Sequence, residues 1–455
     1  MTNYDLAIIG SGPGGYVAAI YASNHKLKTC VIEEDAVGGT CLNKGCIPTK
    51  ALLHSAKILQ TIKSSSNFGI DVSGYTVNFA GMIARKNEVV SRLRAGIETL
   101  FRANSVELFR GHAQVTGVNI LRIEGAGEIF AKNIIIAAGS RAGGIPNVKI
   151  DETDILSSDG ILNLKTIPKS LVVIGGGVIG CEFANLYNAL GVTVTIVEYT
   201  DRLIPMQSRE ASKKLEMSFK KRGIDIFTKA SAESIDKGAG LKVAISGSRT
   251  IEAEKVLVSV GRSANTESLG DLKSLGLEID KGRIRVDAGL RTAVKNIYAI
   301  GDCVSGPQLA HKATYDAFIA CDNILGKEKK ADYSNVPNCI WTEPEVASVG
   351  LIEEEAKALD PGARVAKFPY LGSGRAYLEG KTEGFVKIIG DAKGNILGVE
   401  VFGEGACDLI AEAALARSVN VNIEEWGQVV HSHPTLSEMF QEAARAFCGK
   451  AIHGV

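Results

Sequence analysis

The sequence contains the same glycine-rich pattern twice, and this repeat restricts the folds that the chain can adopt. Each copy has a buried strand, a tight glycine turn, a helix and a second strand that ends in an acid. The first copy runs from Gly10 to Glu33 and the second from Gly175 to Glu198, so both span the same number of residues. This order is typical of a dinucleotide-binding βαβ unit. The chain is therefore predicted to contain two nucleotide-binding domains.

The glycines of each turn have distinct physical roles. Gly12 and Gly177 let the backbone approach a pyrophosphate, whereas Gly15 and Gly180 let the helix pack closely against the strand. The helix N-terminus then offers amide donors and a favourable dipole to the phosphates. A single copy can also occur as a glycine-rich turn in another kind of α/β protein. Two copies, each with a correctly placed acid, argue against this alternative. The predicted contacts are Gly10, Gly12, Gly14, Gly15 and Glu33 in the first unit, and Gly175, Gly177, Ile179, Gly180 and Glu198 in the second.

The rest of the chain divides around these two units. A length of 455 residues indicates three or four domains. Strands that end at Gly139 and Gly261 are predicted to close the two nucleotide domains. The C-terminal part alternates strands with helices and indicates a separate α+β domain. We predict an α/β fold whose parts are residues 1–145, 146–264, 265–335 (a central part that returns to the first domain) and 336–455.

Charge and hydropathy exclude several classes of partner. The net charge is zero and the isoelectric point is about 7.0, so neither nucleic acid nor an anionic membrane is attracted electrostatically. The uncharged stretches are too short for membrane insertion, and no apolar leader follows Met1. We therefore expect a cytoplasmic protein. Nine cysteines in that compartment argue against a structural disulfide framework and favour a catalytic disulfide.

Cys41 and Cys46 directly follow the first nucleotide unit. In an ideal helix their Cα atoms would be roughly 8–9 Å apart, beyond the ~7 Å limit of a disulfide. A bridge thus requires a distorted turn, which Gly45 and Pro48 could provide. Two independent buried cysteines are the alternative. The adjacent nucleotide unit favours a redox pair, since it could supply electrons.

His433 is the candidate acid–base residue, because thiol–disulfide exchange requires a thiolate and therefore a base. Glu438 lies close enough in sequence to orient the imidazole and raise its basicity. An isolated His-Pro would more often be a turn or core residue. We interpret the neighbouring His431 as supportive rather than catalytic.

Residues 38–50 resemble the redox-active segment of the flavin-dependent pyridine nucleotide-disulfide oxidoreductases. The resemblance covers essentially the whole chain, and departures such as Thr49 for serine, Ala138 for threonine and Ala264 for proline are small. Its further motifs are Gly180-Cys-Glu182, Ala299-Ile-Gly-Asp302, Leu309-Ala-His-Lys-Ala313, Trp341-Thr-Glu-Pro-Glu-Val346 and His431-Ser-His-Pro-Thr-Leu-Ser-Glu438.

The resemblance implies FAD in the first nucleotide domain, NAD in the second, a C-terminal dimerisation domain and no metal. It places Cys46 against the flavin and lets Cys41 exchange with substrate. It pairs Lys50 with Glu182 beside the hydride-accepting nitrogen, and it assigns Asp302 to the ribityl and phosphate region of FAD. Further implied contacts are Gly39, Thr40, Lys50, Gly139, Leu309 and Ala310 for FAD, and Gly261 for NAD.

The segments 309–313 and 431–438 resemble the lipoamide branch of the family. This implies oxidation of dihydrolipoyl groups by NAD⁺ in a homodimer, with a lipoyl carrier of a 2-oxo acid dehydrogenase or glycine cleavage complex as partner. Two alternatives stay open: an NADH-dependent reductase of another small disulfide, and a non-enzymatic flavoprotein scaffold.

Overall fold

The computed structural model describes residues 2–238 and 240–453. Its α-helices are α1 (Pro13–Asn24), α2 (Gly39–Lys44), α3 (Cys46–Lys63), α4 (Phe79–Ala103), α5 (Val178–Ala189), α6 (Arg209–Lys221), α7 (Ala310–Ile324), α8 (Glu353–Leu359), α9 (Gly374–Leu378), α10 (Ala406–Ser418), α11 (Ile423–Trp426) and α12 (Glu438–Phe447). None of the helices within these described ranges is both long enough and apolar enough to span a bilayer.

The β-strands in the described ranges belong to six sheets. They are β1 (Thr2–Ile9), β2 (Thr29–Glu33), β3 (Glu107–Arg110), β4 (Ala113–Gly117), β5 (Ile120–Ile123), β6 (Gly127–Ile136), β7 (Ser140–Ala142), β8 (Ile155–Leu156), β9 (Ser170–Ile174), β10 (Thr193–Val197), β11 (Asp225–Phe227), β12 (Ala232–Lys237), β13 (Leu241–Ile245), β14 (Arg249–Ala253), β15 (Lys255–Val258), β16 (Arg262–Ala264), β17 (Ile279–Asp280), β18 (Arg283–Ile284), β19 (Ile297–Ala299), β20 (Asn338–Ile340), β21 (Glu345–Gly350), β22 (Arg364–Pro369), β23 (Phe385–Gly390) and β24 (Ile396–Gly403).

The two sequence repeats form two similar sheets. In the first, β3, β2, β1, β6 and β19 are parallel, and β5 and β4 continue the sheet in antiparallel fashion. In the second, β11, β10, β9, β15 and β8 are all parallel, and β12 to β14 form a separate antiparallel sheet. The parallel strands carry continuous apolar runs because helices cover their faces. This confirms the predicted α/β class with two Rossmann-like domains.

The segment between the second nucleotide unit and the C-terminal domain returns to the first unit. Its strand β19 pairs with β6, and its helix α7 packs against α1. Strands β7 and β16 pair antiparallel where the chain leaves the first domain and where it comes back. A short two-stranded connection therefore links the two nucleotide domains.

The C-terminal domain is an antiparallel sheet in the order β20, β21, β24, β23, β22. Helices α10, α11 and α12 cover it and share its apolar core. This confirms the predicted α+β domain. Its edge strand β20 leads directly into Trp341, so the domain reaches the region between the two nucleotide units.

A buried ion cluster attaches the C-terminal domain to the second nucleotide domain. The ammonium group of Lys387, which is fully buried, lies 2.8 Å from Glu210 on α6, 3.2 Å from Glu353 and 3.2 Å from Glu400. Burial lowers the pKa of Lys387, but the three carboxylates outweigh this effect and the pKa is raised. The lysine is thus charged and neutralises carboxylates from both domains.

We expect Lys387→Met to destabilise the protein by about 3–5 kcal/mol, because it leaves the buried carboxylate of Glu400 without a cation. The exposed Lys367, whose ammonium lies 2.7 Å from Glu210, is the matched control. Lys367→Met should cost less than about 1 kcal/mol. Urea unfolding followed by circular dichroism measures both changes, and equal losses would contradict the role assigned to burial.

Candidate functional site

The acid at the end of each repeat is held by the glycine turn of the same unit. Glu33 accepts hydrogen bonds from the backbone N–H (2.8 Å) and the hydroxyl (2.6 Å) of Ser11. Glu198 accepts one from the backbone N–H of Gly176 at 2.5 Å. Ser11 and Gly176 each follow the first glycine of their turn. Both carboxylates therefore lie at the carboxyl ends of their strands, where a ribose binds in such units.

The last glycine of each turn, Gly15 or Gly180, allows the helix to start directly against the strand. A Cβ atom on Gly15 would lie 1.9 Å from the carbonyl oxygen of Gly10, and one on Gly180 would lie 1.9 Å from that of Gly175. No side chain fits into this space. These two glycines thus allow the close packing of helix against strand that the sequence predicts.

One open cavity of about 1340 Å³ connects both turns. Apart from Gly15 and Gly180, every predicted nucleotide contact lines it, and so do Cys41, Cys46 and Glu182. A Cβ atom on Gly39 would lie 2.6 Å from the Cα of Gly12, so bare backbone forms this part of the wall. The volume exceeds the ~300–1,000 Å³ of ordinary small-molecule sites. The cavity therefore fits two dinucleotides.

The two cysteines of the redox segment are separated by a break in the helix. Helix α2 ends at Lys44 and α3 begins at Cys46, and the intervening Gly45 has φ −140° and ψ −110°. The thiols of Cys41 and Cys46 are unbridged and hydrogen-bonded to each other. The predicted distortion thus lies at Gly45, whereas Pro48 lies in the first turn of α3.

The environment of the pair assigns different chemistry to the two sulfurs. The hydrogen bond from Cys41 lowers the pKa of Cys46 to about 7, with help from the positive charge of Lys50 and against the effect of burial. The same hydrogen bond, together with burial, raises the pKa of Cys41. When both are reduced, Cys46 is therefore the thiolate and Cys41 keeps its proton.

Lys50 and Glu182 meet at the wall of the cavity although they lie 132 residues apart. The ammonium of Lys50 lies 2.8 and 2.9 Å from the two carboxylate oxygens of Glu182. The backbone N–H of Trp341 donates a further hydrogen bond of 3.0 Å to Glu182. Burial lowers the pKa of Lys50, but Glu182 outweighs it and the pKa is raised. A fixed positive charge therefore lies next to the cysteine pair.

Asp302 belongs to a polar group that sequence reasoning found only in part. It accepts a 2.5 Å hydrogen bond from the hydroxyl of Ser140, which in turn accepts one of 2.7 Å from Arg262. Ser140 and Arg262 begin the paired strands β7 and β16. Arg262 directly follows a predicted glycine, which is a weak sequence signal, but no spacing rule indicates Ser140.

The histidine candidates have different environments. Nδ1 of His433 lies 2.9 Å from Glu438, and the His433 side chain is 79% exposed. Burial raises the pKa of Glu438. The hydrogen bond from the backbone N–H of Thr435 and the contact with His433 outweigh burial, so the pKa is lowered. His431, in contrast, is almost completely buried and bonded to Glu412 at 2.9 Å. The ring of His431 is thus fixed by Glu412, whereas that of His433 is open to solvent.

The structure brings the cysteines, Lys50 and Glu182 together, but it does not bring His433 to them within one chain. Neither His433 nor Glu438 lines the cavity. In the described ranges, no group of three or more histidine, cysteine, aspartate or glutamate residues is arranged to hold a metal ion.

Two family models match the chain. One, described as pyridine nucleotide-disulphide oxidoreductase, matches residues 4–317, and the corresponding dimerisation domain matches residues 336–444. The first alone covers more than half of the sequence. The chain belongs to the pyridine nucleotide-disulphide oxidoreductase family.

Individual members of this family are similar over the whole length. The dihydrolipoyl dehydrogenase of Bacillus subtilis is 41% identical and covers 99% of both chains. The mitochondrial dihydrolipoyl dehydrogenase of Pisum sativum is 42% identical over 99% of this chain and 92% of its own. Among solved structures, LpdA from Mycobacterium tuberculosis has a TM-score of 0.91 at 30% identity, covering 98% of this chain and 99% of its own.

Family membership confirms the predicted oxidoreductase class. The family uses FAD and NAD, which confirms the two cofactors predicted from the repeat and the resemblance. The cavity agrees with this pair, because it connects both glycine turns and contains the cysteine segment between them.

Proposed function

We propose that this protein is an NAD-dependent dihydrolipoyl dehydrogenase. One observation carries the proposal: a single cavity joins the two nucleotide turns and includes Cys41, Cys46 and the charged pair of Lys50 and Glu182. This arrangement provides a continuous path for electrons from a dithiol to a pyridine nucleotide. Relatives named dihydrolipoyl dehydrogenase align over their full length and support the same activity.

The residues of the chain perform the thiol chemistry in this proposal. His433, oriented by Glu438, removes a proton from a substrate thiol. The resulting thiolate attacks the sulfur of Cys41 in the oxidised pair, and the Cys46 thiolate leaves. The second substrate thiol then releases Cys41 and takes its place in the substrate disulfide. FAD, when bound, supplies the route by which the electron pair reaches NAD⁺.

Lys50 has an electrostatic role in this scheme. Its positive charge favours the thiolate of Cys46, and Glu182 keeps the ammonium in place. The N–H of Trp341 fixes Glu182 in turn. We infer that this chain of contacts stabilises the Cys46 thiolate against the flavin when the pair is reduced.

We further propose a homodimer in which each active site uses both chains. Residues 336–444 match the dimerisation domain of the family, and His433 is exposed and away from the cavity of its own chain. A two-fold axis would present His433 of one chain to Cys41 of the other and form two equivalent sites. The expected partner is a lipoyl-bearing carrier protein of a 2-oxo acid dehydrogenase or glycine cleavage complex, and the expected compartment is the cytoplasm.

A steady-state assay tests the activity directly. We expect turnover of dihydrolipoamide with NAD⁺ and little turnover of oxidised glutathione with either NADH or NADPH. The second arm tests the alternative of a reductase for another small disulfide. A structural neighbour gives a reason to test it: RclA of Escherichia coli, described as an HOCl-induced flavoprotein disulfide reductase, is 28% identical with a TM-score of 0.89. It covers 98% of this chain and 100% of its own. A flavin-containing protein without activity in either arm would favour the scaffold alternative.

We predict a preference for NAD over NADP. The carboxylate of Glu198 can accept hydrogen bonds from ribose hydroxyls but repels a 2′-phosphate. The guanidinium of Arg202 contacts Asp201 at 3.0 Å and the carbonyl oxygen of Pro205 at 3.0 Å, so its charge is engaged elsewhere. The ratio of kcat/KM for the two nucleotides at one salt concentration measures this preference, and equal values would contradict it.

The variants Glu198→Ala and Arg202→Ala separate the contributions of the two side chains. Glu198→Ala should reduce the preference by roughly 10- to 100-fold, or about 1.4–2.8 kcal/mol. Arg202→Ala is the control and should leave the preference nearly unchanged. A larger effect from Arg202→Ala would show that the guanidinium reads the ribose.

A further inference from the structure

A second pair of cysteines meets at the edge of the cavity. Cys339 is the middle residue of β20, and Cys407 is the second residue of α10, 68 positions later. Each sulfur reaches the backbone of the other segment: Cys339 Sγ lies 3.9 Å from the carbonyl oxygen of Cys407, and Cys407 Sγ lies 3.7 Å from that of Ile340. The two thiols also hydrogen-bond to each other. They are therefore paired in space much as Cys41 and Cys46 are.

The two thiols differ in exposure and in charge. Cys339 is half-buried and lines the cavity, whereas Cys407 is buried. The hydrogen bond from Cys407 lowers the pKa of Cys339, and the positive charge of Lys50 lowers it further. Burial and the carboxylate of Glu345 act in the opposite direction but do not outweigh them. The same hydrogen bond and burial raise the pKa of Cys407. Cys339 is thus the nucleophile of the pair, and Cys407 is the neighbouring thiol that keeps its proton.

The remaining buried cysteines lack these properties. Burial raises the pKa of Cys30, Cys181, Cys303 and Cys321 and keeps them as inert thiols. Cysteines that react with oxidants are accessible, have a low pKa and lie next to a second, resolving cysteine. Outside the catalytic pair, Cys339 with Cys407 meets all three conditions.

We propose that Cys339 and Cys407 form a second, reversible redox pair that a hydroperoxide oxidises. The Cys339 thiolate attacks the terminal peroxide oxygen, the O–O bond breaks, and Cys339 becomes a sulfenic acid while the leaving oxygen takes a proton. The Cys407 thiol then attacks this sulfur, an S–S bond forms, the S–O bond breaks, and water leaves. With hydrogen peroxide, two thiols and one peroxide give one disulfide and two water molecules.

The position of this pair connects its oxidation with the proposed active site. The strand β20 continues into Trp341, whose N–H holds Glu182 and, through it, Lys50. A disulfide between Cys339 and Cys407 would fasten β20 to the first turn of α10 and remove a thiolate near Lys50. The pair is therefore a modification site at the edge of the cavity that occupies neither glycine turn.

The test uses the reduced holoenzyme treated with stepwise amounts of hydrogen peroxide. Remaining thiols are blocked with N-ethylmaleimide, and the digest is examined by mass spectrometry with and without dithiothreitol. We expect a reducible cross-link between the peptides that contain Cys339 and Cys407. It should be absent in Cys339→Ser and Cys407→Ser and present in Cys448→Ser, a matched control because Cys448 is also half-buried.

Two results would overturn the proposal. One is complete maleimide labelling of Cys339 and Cys407 at a peroxide dose that already oxidises Cys41 and Cys46. The other is conversion of Cys339 to sulfinic acid without a cross-link, since Cys407 would then not resolve the sulfenic acid. The wild-type protein alone gives both readouts, so a variant that fails to fold does not affect the test. The cross-link is also measured independently of activity toward dihydrolipoamide.

Discussion

Refolding equal amounts of Cys41→Ser and His433→Ala chains together should restore about a quarter of the wild-type activity, although each variant alone is nearly inactive. Loss of the acid–base group should reduce turnover by roughly 10²- to 10⁴-fold. Loss of Cys41 removes the sulfur that exchanges with substrate. In a mixed dimer with shared sites, one site receives both defects and the other receives none. About half of randomly formed dimers are mixed, which accounts for the quarter.

The physical basis is the exposure of His433. Its side chain is 79% exposed, and it does not line the cavity that contains Cys41 and Cys46 in its own chain. A matched control mixes Cys41→Ser with Cys46→Ser, whose defects lie in the same half of every site, so this mixture should recover nothing. If the first mixture also recovers nothing although mixed dimers are present, the shared-site proposal fails.

The second large effect concerns the Cys46 thiolate. Two-electron reduction of the yellow holoenzyme without oxygen should produce a long-wavelength charge-transfer band. Cys46→Ser should abolish the band together with the activity, because the serine hydroxyl supplies no thiolate. Cys41→Ser should show the band without any reductant, since Cys46 can then form no disulfide. A band that persists in Cys46→Ser would reverse the assignment of the two sulfurs.

The pH dependence of the band follows from the environment of Cys46. Its pKa is lowered to about 7, so the thiolate and the band are present above this pH and disappear as the pH falls through it. Lys50→Met removes a charge that favours the thiolate and should move the midpoint to higher pH. Absorbance measured across a pH series on the reduced protein gives both midpoints, and an unchanged midpoint in Lys50→Met would contradict the electrostatic role.

Much of the fold could be predicted from short stretches of sequence. The glycine turns, their buried strands and the terminal acids Glu33 and Glu198 are local patterns, because chain geometry and burial restrict which residues fit each position. The cysteine spacing likewise required a break, which lies at Gly45. The roles of Cys41, Cys46 and Asp302 came from resemblance to a family, since spacing alone leaves two independent cysteines as an alternative.

What the sequence by itself determined is therefore the pair of nucleotide units, their order and the residue types needed for disulfide chemistry. Only the tertiary structure decided which distant groups meet: Lys50 with Glu182, Ser140 with Asp302, and Cys339 with Cys407. It also separated the buried His431 from the exposed His433, two residues apart. The reason is physical. Periodicity and turn chemistry act over a few residues, whereas these contacts depend on how whole domains pack against each other, and that packing also sets the burial and charge that decide each pKa.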